Sequence, residues 1–181
     1  METQGDREVV EILLGQHAAI RDLLYRVEKS SDESDFAELV RLLAVHETAE
    51  EEVVYPSLRR SDPALSSAID LRVTEEERAK ADLANLEAMT VESPDFAAAF
   101  AFFLRDVESH AEAEEVSLFP ALGSRDVDEL VRMGKLLRLA ESVAPTHPDP
   151  NVPSTATAKI VIGPFAAVAD RVRDALRAGD A

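Results

Sequence analysis

The 181 residues contain no cysteine and no tryptophan, only 6 glycines, and 19 lysines plus arginines against 36 aspartates plus glutamates. Without cysteine there is no disulfide, no thiolate nucleophile, no zinc finger and no ordinary iron–sulfur ligation, so any metal must be held by histidine and carboxylate. The net charge of -17 repels phosphate backbones and anionic lipid, so neither nucleic acid nor a membrane surface is an expected partner. No run of about 18 apolar residues occurs, and the N-terminal METQGDREVVEILL lacks a basic region. Neither a spanning helix nor a signal peptide is expected, and the expected location is cytoplasmic. A glycine-rich phosphate loop, a serine-centred elbow and a basic aromatic patch are also missing, so nothing supports phosphoryl transfer, acyl transfer or nucleic-acid recognition.

An apolar fraction of 46% in a chain of this length suits one domain with one sizeable core. Apolar residues recur at three and four rather than two, which predicts helix nearly throughout. Asp6 opens a first helix with the stripe Val10, Leu13, His17, Ile20, Leu24 and Val27, interrupted by KSSDESD. Asp35 with Glu38 forms a capping-box pattern for a second, striped by Phe36, Leu39, Leu43, His46, Glu50 and Val53. Pro56 should kink or end it. Asp62-Pro63 opens a third helix through about Met89, and Ser93-Pro94 opens a fourth, striped by Phe96, Phe100, Phe103, Val107, His110 and Glu114. Asp126 with Glu129 begins a fifth segment to about Val143. Four of the nine prolines then lie between Pro145 and Pro153, which predicts an extended connector, followed by an amphipathic segment from Phe165 to Leu176. The expectation is an all-α, up-down-up-down four-helix bundle over residues 1–125, with a C-terminal helical extension over 126–181 packed on it.

The second and fourth helices are the same pattern twice. Sliding the chain by 64 residues lays Phe36 on Phe100, Leu39 on Phe103, Leu43 on Val107, His46 on His110, Glu50 on Glu114 and Pro56 on Pro120. Residues four apart on a helix face the same way, so His46 with Glu50, and His110 with Glu114, continue the apolar stripe into the core. His17 interrupts the first stripe in the same manner. Burying two ionised carboxylates unpaired would cost several kcal/mol each, a large part of a typical stability of about 5–15 kcal/mol. Mutual hydrogen bonds are one compensation. A cation is the more natural one, and imidazole with carboxylate suits iron, manganese or zinc.

HETAEEEVVYP and HAEAEEVSLFP thereby resemble the hemerythrin-like HHE cation-binding family, whose half-repeat is a His followed by His-x-x-x-Glu-Glu and, five residues later, Pro. The resemblance covers about residues 7–122. It implies two non-haem irons bridged by carboxylates, with manganese or zinc the less favoured occupants. His17 and His46 would ligate one ion, His110 the other, and Glu50 and Glu114 would bridge them. Small ligands such as dioxygen, hydrogen peroxide or nitric oxide would be the partners, in oxygen or redox sensing or in stress protection. A catalase-like disproportionation of peroxide is the enzymatic alternative. A degenerate site in a regulatory bundle that binds a partner through the C-terminal helix is the other.

One position departs from the family pattern. The third helix should supply a His, yet LRVTEEERAKADLANLE has none, and aligning its stripe with the first helix puts Glu76 where His17 stands. Glu77 and His147 are the alternatives, and a weak or absent second ion is another. A carboxylate there makes the site more anionic and favours the oxidised metal, shifting chemistry from reversible oxygen carriage toward redox or peroxide reactions. Glu47 and Glu52 are expected to face water. So are Glu51, Glu112 and Glu115, although Glu51 and Glu115 could contact ligands from behind. Tyr55 and Phe119, equivalent in the repeat, are read as packing residues.

Overall fold

Those three- and four-residue intervals become, in the computed structural model, which describes residues 9–143, a succession of helices with no strand among the described residues. They are α1 (Val9–Ser30), α2 (Glu33–Ala49), a π-helical turn (Glu50–Val54), α3 (Tyr55–Ser61), a 3₁₀ turn (Pro63–Leu65), α4 (Ser66–Glu87), α5 (Pro94–Ser117), α6 (Phe119–Gly123) and α7 (Val127–Val143). The connections between the long helices are short, so neighbours run antiparallel and α1, α2, α4 and α5 form the bundle. His147, the connector and the segment Phe165 to Leu176 lie outside the described residues.

Local sequence accounts for most boundaries. Ser93 caps α5 by accepting from the Phe96 amide at 3.1 Å, and Asp126 accepts from the Asp128 amide at 3.0 Å ahead of α7. The cap of α2 differs from expectation. Asp32, not Asp35, accepts from the amides of Ser34 and Asp35, because Asp35 already lies inside the first turn and pairs instead with Arg26. Asp62 accepts from the Ala64 amide as anticipated, but the turn it opens is 3₁₀, and α4 begins only at Ser66 and ends at Glu87.

The two prolines of the repeat act differently. Pro56 has no N–H to give and its ring crowds the carbonyl four residues back. The chain neither ends nor breaks there; it widens, with the Tyr55 amide bonding five residues back to the Glu50 carbonyl. At Pro120 the chain instead breaks at Leu118 and restarts as α6.

Two apolar clusters fill the bundle, one on each side of a polar layer. Toward one end lie Leu13, Val53, Leu58, Ile69, Leu118 and Phe119, joined by Leu130, Met133 and Leu137 of α7. Toward the other lie Ile20, Leu24, Leu39, Leu43, Leu83 and the stacked Phe96 and Phe100. Each long helix, with the turn that continues it, passes from one cluster to the other: Leu13 to Ile20, Val53 to Leu43, Ile69 to Leu83, Leu118 to Val107. The interval between is where the His and Glu residues stand. Helix α7 packs on α1 and α2, so α2 is covered on more than one side and stays buried from Leu43 to Glu50. At the start of α1 it is Val9 that is fully buried, with Val10 packed against the cluster from its edge.

Candidate metal centre

Five elements supply the polar layer: His17 from α1, His46 from α2, Glu50 from the first residue of the π turn, Glu76 from α4, and His110 with Glu114 from α5. All are buried except His110, whose side chain retains 13% exposure. Their donor atoms form two overlapping groups, His17, His46, Glu50 and Glu114, and then Glu50, Glu76, His110 and Glu114. Within each group those atoms lie within 4.8 Å of one another, and Glu50 and Glu114 belong to both. Glu77 is exposed on the far face of α4.

Hydrogen bonds behind the histidines orient them. His17 Nδ1 lies 2.8 Å from Glu115 Oε1, His46 Nδ1 lies 2.9 Å from Gln16 Oε1, and His110 Nδ1 lies 3.0 Å from Glu75 Oε2. Each partner oxygen accepts, so each Nδ1 carries the proton and each Nε2 turns a lone pair inward. His17 Nε2 and His46 Nε2 then meet at 3.0 Å. Two lone pairs at that distance repel unless a proton or a cation lies between them. His110 Nε2 stands 3.4 Å from Glu114 Oε2 and 3.9 Å from Glu76 Oε1, and has no hydrogen-bond partner. Phe119 stacks on the His17 ring at 5.2 Å and fixes it from the apolar side.

The carboxylates show what the arrangement lacks. Both oxygens of Glu50, Oε2 of Glu76 and Oε2 of Glu114 are buried with no hydrogen-bond partner. Burial, then the neighbouring Glu114, Glu76 and Glu47, push Glu50 well above the carboxylate range. Burial and Glu47 likewise raise Glu76, to about 10. For Glu114 burial works upward too, but the adjacent imidazoles of His110 and His17 more than offset it and hold the group low. Burial, with His17 adjacent, pushes His46 down to about 3. Glu50, Glu76 and His46 are therefore held uncharged without metal, which a multivalent cation would reverse. The orphaned oxygens and the nitrogen–oxygen donor set without thiolate fit iron, manganese or zinc.

Two neighbours differ from the sequence reading. Glu47 is buried, held by Lys80 of α4 at 3.7 Å, and burial raises it to about 7 although Lys80 opposes the shift. Tyr55 reaches the centre: its hydroxyl is hydrogen-bonded to Glu76 and, at 2.5 Å, to Glu114. A phenol donates only one proton, so one of these bonds is donated by a carboxyl, and Glu76, raised to about 10, is the one that carries it. The only sequence signal was that Tyr55 stands where the repeat has Phe119. Glu51 bonds Lys80, and Glu115 touches His17 from behind.

Fold and centre together define a cation-binding helical bundle. The family model described as Hemerythrin HHE cation binding domain matches residues 8–122. The chain belongs to that family. No curated protein and no solved structure matches it.

Proposed function

We propose that the chain is a non-haem di-iron protein of the hemerythrin-like type that binds or reacts with dioxygen, peroxide or nitric oxide, in redox sensing or stress protection. The observation that carries this is the pair of overlapping donor groups with Glu50 and Glu114 in common. His17 and His46 would hold one ion, His110 and Glu76 the other, and the shared glutamates would bridge them. Iron bound there supplies redox chemistry and an open position for a small ligand. The residues set the conditions for it. Gln16, Glu75 and Glu115 fix the imidazole tautomers, the two apolar clusters shield the layer from either end of the bundle, and a third carboxylate, Glu76, favours the more highly charged oxidised metal.

Tyr55 favours a second, enzymatic reading, the catalase-like conversion of two peroxides to dioxygen and two waters. Its hydroxyl holds an exchangeable proton against Glu76 and Glu114, as a reaction that moves protons between two peroxide molecules requires.

Metal content of protein purified from iron-fed cells, with an absorption spectrum before and after azide, peroxide or nitric oxide, tests both. Substoichiometric metal, with spectrum and stability unchanged in His46→Ala, would rule out the di-iron centre. Oxygen evolution from peroxide that survives Glu50→Ala and Glu114→Ala would rule out the enzymatic reading.

A further inference from the structure

Between the polar layer and the phenylalanine-rich cluster lies a cavity of about 170 Å³. His17, His46, Glu76 and His110 close its inner end, while Ile20, Leu24, Leu43, Phe103 and Val107 form apolar walls. It reaches the surface between α1, α4 and α5, where Arg78 and Asp106 are exposed. A water molecule needs roughly 10–15 Å³, and a cavity of about 150 Å³ lined by Leu, Ile and Phe takes up benzene. This space is thus far larger than a diatomic gas or peroxide requires and is the right size for one ring. Its mouth sets Arg21 and Arg78 against Glu75, Asp82, Asp106 and Glu108, a net negative rim that disfavours anions. Apolar walls with a few converging polar groups at one end are the usual form of a small-molecule site.

We propose that this cavity binds an uncharged organic molecule with an apolar body of about one ring and an oxygen head directed at the His and Glu side chains. The direction of the head rests on the metal-centre reading above; the seat for the apolar body does not. The ligand class would include ring-bearing or short-chain alcohols and hydroperoxides and exclude carboxylates.

The test uses the full chain as purified, with its metal content measured on the same sample. Benzyl alcohol is the probe and benzoate the anionic control, each followed by backbone amide shifts in NMR titration. Benzyl alcohol should saturate one site, shifting the amides around Ile20, Ala79 and Val107, and benzoate should bind about tenfold more weakly or not at all. Ala79 lines the cavity and is only half-buried, so Ala79→Leu and Ala79→Phe fill space rather than overpack the core. They should weaken benzyl alcohol progressively while leaving metal content unchanged. Should Ala79→Phe fail to fold, Ala79→Leu against wild type carries the comparison. No saturable binding, or equal affinity in wild type and the filled variants, overturns the proposal. Benzyl alcohol binding by protein that takes up no metal even from iron-fed cells, with His46→Ala unchanged, would instead sink the di-iron reading and leave the cavity assignment standing.

Discussion

Glu76→Gln is expected to change stability in opposite directions in the metal-free and metal-loaded protein. In the metal-free chain Glu76 titrates at about 10 instead of 4.5, so at pH 7 it is protonated when folded and ionised when unfolded. Between those two values the folded state binds the extra proton, and stability falls as pH rises. At pH 7 the folded carboxyl must be protonated some 2.5 pH units above its ordinary pKa, which costs about 3 kcal/mol. Glutamine has nearly the same shape, can still donate to the Tyr55 oxygen and carries no proton to take up. The variant should therefore gain about 3 kcal/mol when metal-free, a rise in midpoint of roughly 6–12 °C for a chain of this size. The gain should vanish near pH 4.5. With metal present, the amide replaces a charged donor, metal affinity drops and the stabilisation that binding confers drops with it. Urea denaturation of chelated protein from pH 6.5 to 9, wild type against variant at each pH, isolates this residue from Glu47 and His46. A metal-free variant that is less stable than wild type, or a difference that does not grow with pH, would refute the reasoning.

Other outcomes follow from the same geometry. Tyr55→Phe leaves Glu76 and Glu114 short of a partner in a dry site and should cost about 1–3 kcal/mol in metal-free denaturation; a gain would contradict the hydrogen-bond assignment. Asp32→Ala should cost about 1 kcal/mol through loss of the α2 cap, whereas Asp35→Ala removes only an exposed pair with Arg26, worth about 0–1 kcal/mol. The reverse order in thermal melts would return the cap to Asp35. His46, pushed down to about 3 by burial and by His17, should stay neutral at pH 5 in NMR of the metal-free protein. Because the unfolded chain takes up that proton near 6.5, the metal-free fold loses stability as pH falls from 6.5 toward 3. Protonation of His46 near pH 6 would show a wetter site.

The helical stripes were legible because burial on one face imposes a 3.6-residue period, and the displaced repeat of His and Glu on those stripes pointed to an interior polar layer. Alignment of the third stripe with the first pointed to Glu76 and left Glu77 open as its neighbour, and the structure places Glu76 inside and Glu77 outside. What failed did so where a second surface or a backbone irregularity intervenes. Periodicity treats a helix as having one wet face, but Lys80 of α4 lies over that side of α2, and Glu47 is buried against it. Tyr55 follows a π turn that no residue pattern announces, and its equivalence to Phe119 disguised a hydroxyl as packing. Two acidic residues, Asp32 and Asp35, both satisfy a capping preference, and only the backbone path at Ser31, which takes a positive φ of 52°, decides where the helix starts.

The most direct test of the shared-carboxylate centre is Mössbauer spectroscopy, with iron quantified, on protein enriched in 57Fe. Two irons per chain that are magnetically coupled in the oxidised state, with coupling and occupancy both lost in Glu50→Ala, is the predicted result. A single uncoupled iron, or iron retained at full occupancy in Glu50→Ala, would contradict it.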